Sequence, residues 1–160
     1  MNTHKYESKL IILVGNIGSG KSTYTKKYSK DYVTLSPDAM RYMMGNGEYI
    51  FDPVLEPWLL GSLSHLYRDL VITGVNILID STNIKRSLRE MYVEVAKKCN
   101  YHITCIEMPR LSKEESVARR LHDPHGSDDA DIWGKVWEIM DSNYNEPLSD
   151  EGYDELIKLQ

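Results

Sequence analysis

Short apolar runs rich in β-branched residues alternate along the chain with segments whose apolar residues recur every three or four positions. The runs predict β-strands, and the periodic segments predict amphipathic helices. This alternation is typical of an α/β fold with a mainly parallel sheet. The predicted strands are five, at residues 10–14, 32–35, 75–80, 101–108 and 153–159.

Two of the periodic segments, residues 53–73 and 84–98, carry clear apolar stripes. Such stripes are usually the faces with which helices pack on a sheet. We therefore expect both stripes in the core. The first consists of Leu55, Leu59, Leu63, Leu66 and Leu70, and the second of Ile84, Leu88, Met91, Tyr92 and Val95.

The segment GNIGSGKST at residues 15–23 lies between the first predicted strand and a helix-forming segment. Its spacing of Gly15, four residues and then Gly20-Lys21-Ser22 is that of a phosphate-binding P-loop. Glycines let backbone N–H groups point inward at a polyphosphate, and the helix N-terminus adds further donors. Lys21 is expected on the β- and γ-phosphates and Ser22 on Mg²⁺. The predicted nucleotide-binding residues are Gly15, Asn16, Ile17, Gly18, Ser19, Gly20, Lys21, Ser22 and Thr23.

A second polar cluster, SPDAMR, follows the second predicted strand. An aspartate at the carboxyl end of a parallel strand points into the crevice where ligands bind, so Asp38 is placed to accept a proton from a hydroxyl. Arg41 lies one helical turn further on and can hold an anionic group of the acceptor. The alternative for this cluster is a helix N-cap formed by Ser36 or Asp38.

The third cluster, IDSTN, ends the third predicted strand. Asp80 resembles the acidic strand end that positions Mg²⁺ in P-loop enzymes, which makes Ser22 and Asp80 the candidate metal ligands. Thr82 and Asn83 supply hydrogen-bonding groups at the same rim. A helix cap before Ile84 is the alternative, and both roles are compatible.

Composition narrows the class of protein. The 160 residues fit one domain, and 19 basic against 24 acidic residues give a net charge of −5. Proteins that bind long nucleic acids along the backbone are usually basic, so any nucleic-acid contact is expected to be local.

The longest apolar run is too short for a membrane helix, and the two cysteines show no Cys-x-x-Cys spacing. We therefore expect a cytoplasmic protein.

Taken together, the P-loop, Asp-x-x-Arg after the second strand and Asp-x-Thr-Asn after the third resemble the kinase domains of 5′-polynucleotide kinases, both phage-type and bacterial RNA-repair enzymes. The resemblance extends over essentially the whole chain. It implies a single domain, 1–160, with a P-loop kinase-like three-layer fold and a helical lid at about 112–143. It also implies ATP and Mg²⁺ as cofactors.

By the same resemblance, Asp38 is the general base for a 5′-hydroxyl, and Arg41 holds the phosphate next to the acceptor nucleoside. Lys21 and Ser22 bind ATP·Mg. The group formed by Asp80, Thr82 and Asn83 lines the same site.

One feature departs from the family pattern. These kinases carry Arg-Asn-x-x-Arg in the lid, where the guanidinium groups stabilise the transferring phosphoryl group. Arg119 fits the first arginine, but Asp123 stands at the position of the second. Arg120 is a candidate substitute after a shift of the helix. We therefore assign lid catalysis to Arg119 and Arg120 together.

Two further groups of side chains have competing interpretations. His122, His125, Asp128 and Asp129 match no established zinc pattern, so a polar mobile lid is favoured over a metal site. The aromatic residues Tyr49, Phe51 and Trp58 are candidates either for stacking on a base or for anchoring a loop. Trp133 and Trp137 are expected in the core.

The leading functional hypothesis is an ATP-dependent kinase acting on a 5′-hydroxyl nucleic-acid end. The first alternative is a P-loop kinase of a small hydroxyl compound, such as a nucleoside, an antibiotic or a sugar nucleotide, which the acidic net charge favours. A non-catalytic nucleotide-binding module is the third hypothesis, supported by the altered lid. Any phosphatase or ligase activity is expected on another chain. The sequence leaves RNA or DNA preference and oligomeric state open.

Overall fold

The structure is a computed structural model that describes residues 8–28, 30–122 and 126–160. Five parallel strands form one sheet in the order β2-β3-β1-β4-β5. The strands are β1 (Ser8–Val14), β2 (Val33–Leu35), β3 (Ile77–Ile79), β4 (Tyr101–Glu107) and β5 (Glu155–Lys158). All five predicted strands and the α/β P-loop kinase fold class are confirmed.

Six α-helices lie within the described residues: α1 (Lys21–Tyr28), α2 (Pro37–Met44), α3 (Glu56–Thr73), α4 (Arg86–Lys98), α5 (Lys113–His122) and α6 (Ala130–Ser142). A 3-10 turn at Ser149–Glu151 precedes β5. In the described part of the chain, no helix is both long and apolar enough to cross a membrane.

The core lies on both faces of the sheet because the side chains of β1 alternate between them. Leu10 and Ile12 pack in one cluster with buried residues of α3 and α4. Ile11 and Leu13 pack in a second cluster, against which the tyrosines of α1 lie. Every residue of β1 except Lys9 is buried, as expected for a central strand between two helical layers.

The two predicted helical stripes are correct in part. In α3 the buried residues are Leu59, Tyr67 and Val71, whereas Leu66 is 46% exposed. The stripe runs through Tyr67 because its hydroxyl donates to the carbonyl of Tyr92 at 2.6 Å, which allows the phenol to be buried.

The stripe of α4 is rotated in the same way. Leu88 is 43% exposed, and the neighbouring Arg89 is fully buried. The burial of Arg89 is possible because the carboxylate of Glu151 lies beside its guanidinium, at 2.7 Å. The predictions for Leu66 and Leu88 were therefore wrong. The neighbouring residues Tyr67 and Arg89 are buried instead, because the polar end of each side chain has a partner.

Hydrogen bonds join the carboxyl ends of the strands at one edge of the sheet. The Asp80 amide donates to Leu35 at 2.9 Å, and the Gly15 amide donates to Thr82 at 3.0 Å. These bonds bring together the loop after β1, the start of α2 and the loop after β3. Ligands of open parallel sheets bind at this edge.

Candidate active site

A cavity of about 850 Å³ lies at the carboxyl edge of the sheet. It is lined by the P-loop, the start of α2, the loop after β3, and both α5 and α6. Most of the predicted site residues line it. They are Ile17, Gly18, Ser19, Gly20, Lys21, Ser22, Thr23, Asp38, Arg41, Asp80, Thr82, Arg119 and Arg120.

The P-loop has the backbone that its glycines predict. Gly18 and Gly20 have φ values of +67° and +96°, a region that residues with side chains rarely adopt. A Cβ on Gly18 would also lie 2.6 Å from the carbonyl oxygen of Ser116 in α5. Glycine at this position therefore permits both the turn of the loop and the close approach of α5.

Lys21 begins α1, and its ammonium lies against the P-loop backbone. The Nζ donates to the carbonyls of Gly15 at 2.9 Å and Asn16 at 2.7 Å. Burial lowers the pKa of Lys21 to about 8, although the carboxylates of Asp80 and Asp38 oppose this shift. The ammonium is thus positioned in the cavity before any phosphate binds.

The N-cap of α2 is Ser36, whose side chain accepts a hydrogen bond from the Ala39 amide at 3.3 Å. Asp38 is therefore not needed as a cap, and its carboxylate lines the cavity. Its Oδ1 accepts hydrogen bonds from Arg41 Nη1 at 2.6 Å and from the Tyr49 hydroxyl at 3.0 Å. No hydrogen bond reaches Oδ2 from the described residues, which leaves that oxygen able to accept a proton.

The guanidinium of Arg41 lies between two carboxylates. Besides Asp38, it contacts Glu56 through two parallel bonds, from Nε at 2.9 Å and from Nη2 at 2.5 Å. Burial opposes the charge of Arg41, but the hydrogen bonds with Glu56 outweigh it and raise the pKa of the guanidinium. Three of the five N–H groups are thus used, which leaves two for a further partner.

Asp80 and Ser22 both line the cavity. Burial raises the pKa of the Asp80 carboxyl, while a hydrogen bond with Thr25 and the charge of Lys21 act in the opposite direction. A carboxylate and a hydroxyl are hard oxygen donors of the kind that Mg²⁺ prefers, usually together with substrate phosphates and water. The chemistry of this pair therefore fits a magnesium ion.

The position of Asn83 differs from the prediction. The side chain is 1% exposed, and its amide donates to the carbonyl of Leu13 at 2.7 Å. Asn83 has a φ of +44°, which asparagine tolerates better than most residues. It therefore lies beneath the site, supporting the loop after β3, and does not line the cavity as expected of a substrate-binding residue.

Both lid arginines line the cavity, but their surroundings differ. Arg119 is exposed, whereas the guanidinium carbon of Arg120 lies 4.3 Å from the centre of the Trp133 ring. The Nε of Arg120 is buried and has no hydrogen-bond partner among the described residues. Such a donor is costly unless a ligand satisfies it, which favours Arg120 as a ligand-binding group. Asp123 lies outside the described residues.

Two groups of side chains had competing interpretations, the histidines and aspartates of the lid loop and the aromatic residues near the acceptor side. His125 lies outside the described residues, and no metal-binding group of three or more His, Cys, Asp or Glu residues is found in the rest. Tyr49 and Phe51 line the cavity, whereas Trp58 is 76% exposed. Trp133 is buried as predicted but also lines the cavity, and Trp137 is half-buried.

Several residues that shape the site were not found from the sequence. Tyr49 was considered for stacking on a base or for anchoring a loop, and no role was assigned to Glu56 or Thr25. Glu56 lies 15 positions beyond Arg41, and Tyr49 lies 11 beyond Asp38, in an irregular segment. No periodicity links residues across such a segment, so only the three-dimensional structure reveals these pairs.

Comparison with known proteins gives a family match over most of the chain. The sequence profile described as "AAA domain" matches residues 10–147. The chain is also 27% identical to L-seryl-tRNA(Sec) kinase of Methanococcus maripaludis, over 61% of this chain and 39% of that protein.

Two solved structures are similar in fold. A protein of Chloroflexus aurantiacus superposes with a TM-score of 0.70, at 20% identity, over 96% of this chain and 88% of that one. A chain of the Pnkp1/Rnl/Hen1 complex superposes with a TM-score of 0.58, at 31% identity, over 74% of this chain and 40% of that one. The chain thus spans less than half the length of the seryl-tRNA kinase and of the Pnkp1/Rnl/Hen1 chain.

Proposed function

This chain belongs to the AAA domain family and has the fold of P-loop kinases, and from that premise we propose that it is a kinase that transfers the γ-phosphoryl group of ATP to the 5′-hydroxyl end of a polynucleotide. One observation carries the proposal. Lys21, a P-loop cation, and Asp38, a carboxylate with one oxygen not hydrogen-bonded to the described residues, line the same cavity. Phosphoryl transfer to an alcohol needs a cation at the donor phosphates and a proton acceptor at the hydroxyl.

On the donor side, the P-loop amides and the N-terminus of α1 bind the phosphates of ATP. Lys21 leaves its carbonyl partners in the loop and pairs with the β- and γ-phosphates. Arg120 contacts the transferring group from the lid, where its buried Nε gains a partner. In this proposal α5 and α6 form the helical lid of a single domain.

On the acceptor side, the hydroxyl oxygen attacks the γ-phosphorus in line with the leaving group. A bond forms between that oxygen and phosphorus, and the bond from phosphorus to the β–γ bridging oxygen breaks. ADP leaves with the electron pair, and the hydroxyl proton passes to Oδ2 of Asp38. Positioning and charge stabilisation supply most of the rate enhancement in such a reaction.

Mg²⁺ would be held by Ser22 and Asp80 together with phosphate oxygens, and it would neutralise charge that develops on the phosphates. Burial of Asp80 strengthens its interaction with a cation, because the surrounding dielectric is low. Lys21 and Arg120 contribute further positive charge around the same phosphates.

Two similarities support a polynucleotide acceptor. The Asp38/Arg41 and Asp80/Thr82 motifs resemble those of 5′-polynucleotide kinases, and a chain of an RNA repair complex shares 25% identity over 90% of this chain. The L-seryl-tRNA(Sec) kinase relative is, by its name, a kinase of an RNA-linked substrate. RNA ends are therefore the first acceptors to test.

A small hydroxyl compound is the second candidate acceptor, and the surroundings of Arg41 favour it. Two carboxylates already contact the guanidinium, so the group formed by Asp38, Arg41 and Glu56 has a net charge of −1. This charge disfavours a second phosphate beside the acceptor hydroxyl. An uncharged nucleoside or sugar would avoid that repulsion.

The experiment that tests the proposal follows transfer of labelled phosphate from γ-labelled ATP. The acceptor panel contains a 5′-hydroxyl RNA oligonucleotide, the DNA oligonucleotide of the same sequence, and nucleosides. Label on an oligonucleotide supports the proposal, and label only on nucleosides supports the second candidate. Retained ATP binding without transfer to any acceptor would indicate a non-catalytic nucleotide-binding module.

A further inference from the structure

Arg89 of α4 forms a fully buried ion pair with Glu151, in the 3-10 turn before β5. Its Nε donates to Glu151 Oε2 at 2.8 Å and its Nη2 to Oε1 at 2.7 Å, and both side chains are 0% exposed. Buried pairs of this kind are often no more stabilising than apolar residues of the same volume. Stability of the fold is therefore a weak explanation for the presence of these two charges.

The remaining nitrogen of Arg89 contacts the active-site loop. Nη1 donates to the backbone carbonyl of Asn83 at 2.9 Å, in a buried environment. Asn83 adopts a left-handed backbone conformation, and its side-chain amide donates to Leu13 at 2.7 Å, at the end of β1. The planar guanidinium thus joins the 3-10 turn at Ser149–Glu151 to Asn83, the residue that anchors the loop after β3 to β1.

The loop at residues 80–83 is bonded to both neighbouring strand ends. The Asp80 amide donates to Leu35 of β2, and the Thr82 carbonyl accepts from Gly15, the first residue of the P-loop. Asp80 and Thr82 line the cavity, whereas the part of the loop that Arg89 contacts is buried. Displacement of the Asn83 carbonyl would therefore move Asp80 and Gly15 relative to each other.

We infer that Arg89 is a positioning residue, which holds the 80–83 loop in register with the P-loop through the Asn83 carbonyl. Glu151 neutralises the guanidinium and fixes its plane, and the hydroxyl of Tyr153 contacts both groups, at 3.0 Å from Arg89 Nε. The kinetic consequence of this inference rests on the proposed phosphoryl transfer. Its structural consequence, protection of the Gly15 amide from hydrogen exchange, does not depend on the proposed function.

Two variants remove the bond to Asn83 in different ways. The double variant Arg89→Met/Glu151→Met replaces both buried charges with side chains of similar volume, which preserves packing. Arg89→Lys keeps a charge beside Glu151 but lacks the planar fork needed to reach Glu151 and Asn83 together. Tyr101→Phe is the matched control, because it removes the hydroxyl of a buried tyrosine, which donates to the carbonyl of Val75 at 2.7 Å and does not contact the loop.

The test uses three measurements: amide hydrogen exchange followed residue by residue with NMR, the affinity for ATP, and the turnover number. Both Arg89 variants should exchange the Gly15 and Asp80 amides at least tenfold faster than the wild type, because local opening exposes these bonds. The turnover number should fall about ten- to a hundredfold, as expected for slight misplacement of catalytic groups, with less effect on the affinity for ATP. Tyr101→Phe should leave both readouts near the wild-type values.

The outcomes separate the inference from the proposed function. Folded Arg89→Lys protein with wild-type exchange at Gly15 and Asp80 would overturn the inference, whether or not the double variant folds. An equal acceleration in Tyr101→Phe would also overturn it, because the effect would then reflect general loss of stability. If the wild type shows no phosphoryl transfer, the proposed function fails, while the exchange measurement still decides the role of Arg89.

Discussion

Tyr49 donates its phenolic hydroxyl to Oδ1 of Asp38 at 3.0 Å, and so fixes the carboxylate that we assign as general base. Burial raises the pKa of Tyr49 to about 12, so the hydroxyl stays protonated and remains a donor at neutral pH. With Oδ1 held by Tyr49 and Arg41, Oδ2 is the oxygen that we propose accepts the proton of the acceptor hydroxyl. The first prediction concerns this bond.

Tyr49→Phe should lower the turnover number by about three- to tenfold, because loss of this hydrogen bond leaves Arg41 alone to orient the carboxylate. The affinity for ATP should change little, because Tyr49 contacts Asp38, Arg41 and Tyr42 on the acceptor side of the cavity. Steady-state kinetics and ATP titration measure the two quantities. Tyr67→Phe, which removes a buried hydroxyl remote from the cavity, serves as control. Equal losses in the two variants would contradict the assigned role.

The roles of Asp38 and Ser36 can be separated by substitution. Asp38→Asn should reduce transfer by at least a hundredfold while ATP binding persists, because an amide does not accept the hydroxyl proton. Ser36→Ala removes the N-cap of α2 and should cost about 1 kcal/mol of stability. Its turnover should nevertheless stay within about threefold of the wild type. An Asp38→Asn variant with normal turnover would show that this carboxylate only supports the helix.

The lowered pKa of Lys21 predicts how ATP affinity depends on pH. Below about pH 8 the free protein carries the ammonium, and above that value it carries the neutral amine. The dissociation constant for ATP should therefore rise with pH above about 8, by up to tenfold per unit. Arg stays charged over this range, so Lys21→Arg should bind ATP more weakly but with little dependence on pH. ATP titrations between about pH 7 and 9.5 compare the wild type with Lys21→Arg. If the dissociation constant rises equally with pH in both proteins, the pKa of Lys21 does not explain the pH dependence.

Local signals in the sequence predicted the strands and the P-loop, because apolar runs and glycine spacing determine those elements over a few residues. The same is true of Asp38 and Asp80, which simply follow strands in an α/β order. Three contacts could not be predicted in this way, because 15, 11 and 62 positions separate the partners. They join Glu56 to Arg41, Tyr49 to Asp38 and Glu151 to Arg89. These pairs depend on how the helices pack, and no short-range periodicity encodes that packing.

The two lid arginines should differ in their effect on catalysis. Arg120 is held on the Trp133 ring and has a buried Nε without a partner in the described part of the chain, whereas Arg119 is exposed. Arg120→Gln should therefore reduce the turnover number by at least about a hundredfold, since arginines that stabilise the transferring phosphoryl group contribute that much or more. Arg119→Gln should have a smaller effect. A larger loss in Arg119→Gln would reverse the assignment.

The last prediction concerns Arg41 and distinguishes the two classes of acceptor. If Arg41 holds a phosphate next to the acceptor hydroxyl, its two unused N–H groups bind that phosphate despite the neighbouring Glu56. Arg41→Gln should then raise the KM for a nucleoside 3′-phosphate by about tenfold or more, the cost of a charge-assisted hydrogen bond. The KM for the corresponding nucleoside, which lacks the phosphate, should change much less.

The same comparison reveals a purely orienting role. If Arg41 only positions Asp38, through the bond at 2.6 Å, then Arg41→Gln should lower the turnover number equally for both acceptors and leave the KM ratio unchanged. Glu56→Gln is the matched variant, because it removes the repulsive carboxylate and keeps the guanidinium. For a phosphate-binding Arg41, Glu56→Gln should lower the KM of the phosphorylated acceptor relative to the nucleoside. An unchanged KM ratio in both variants would exclude Arg41 as the phosphate ligand and favour a small uncharged acceptor.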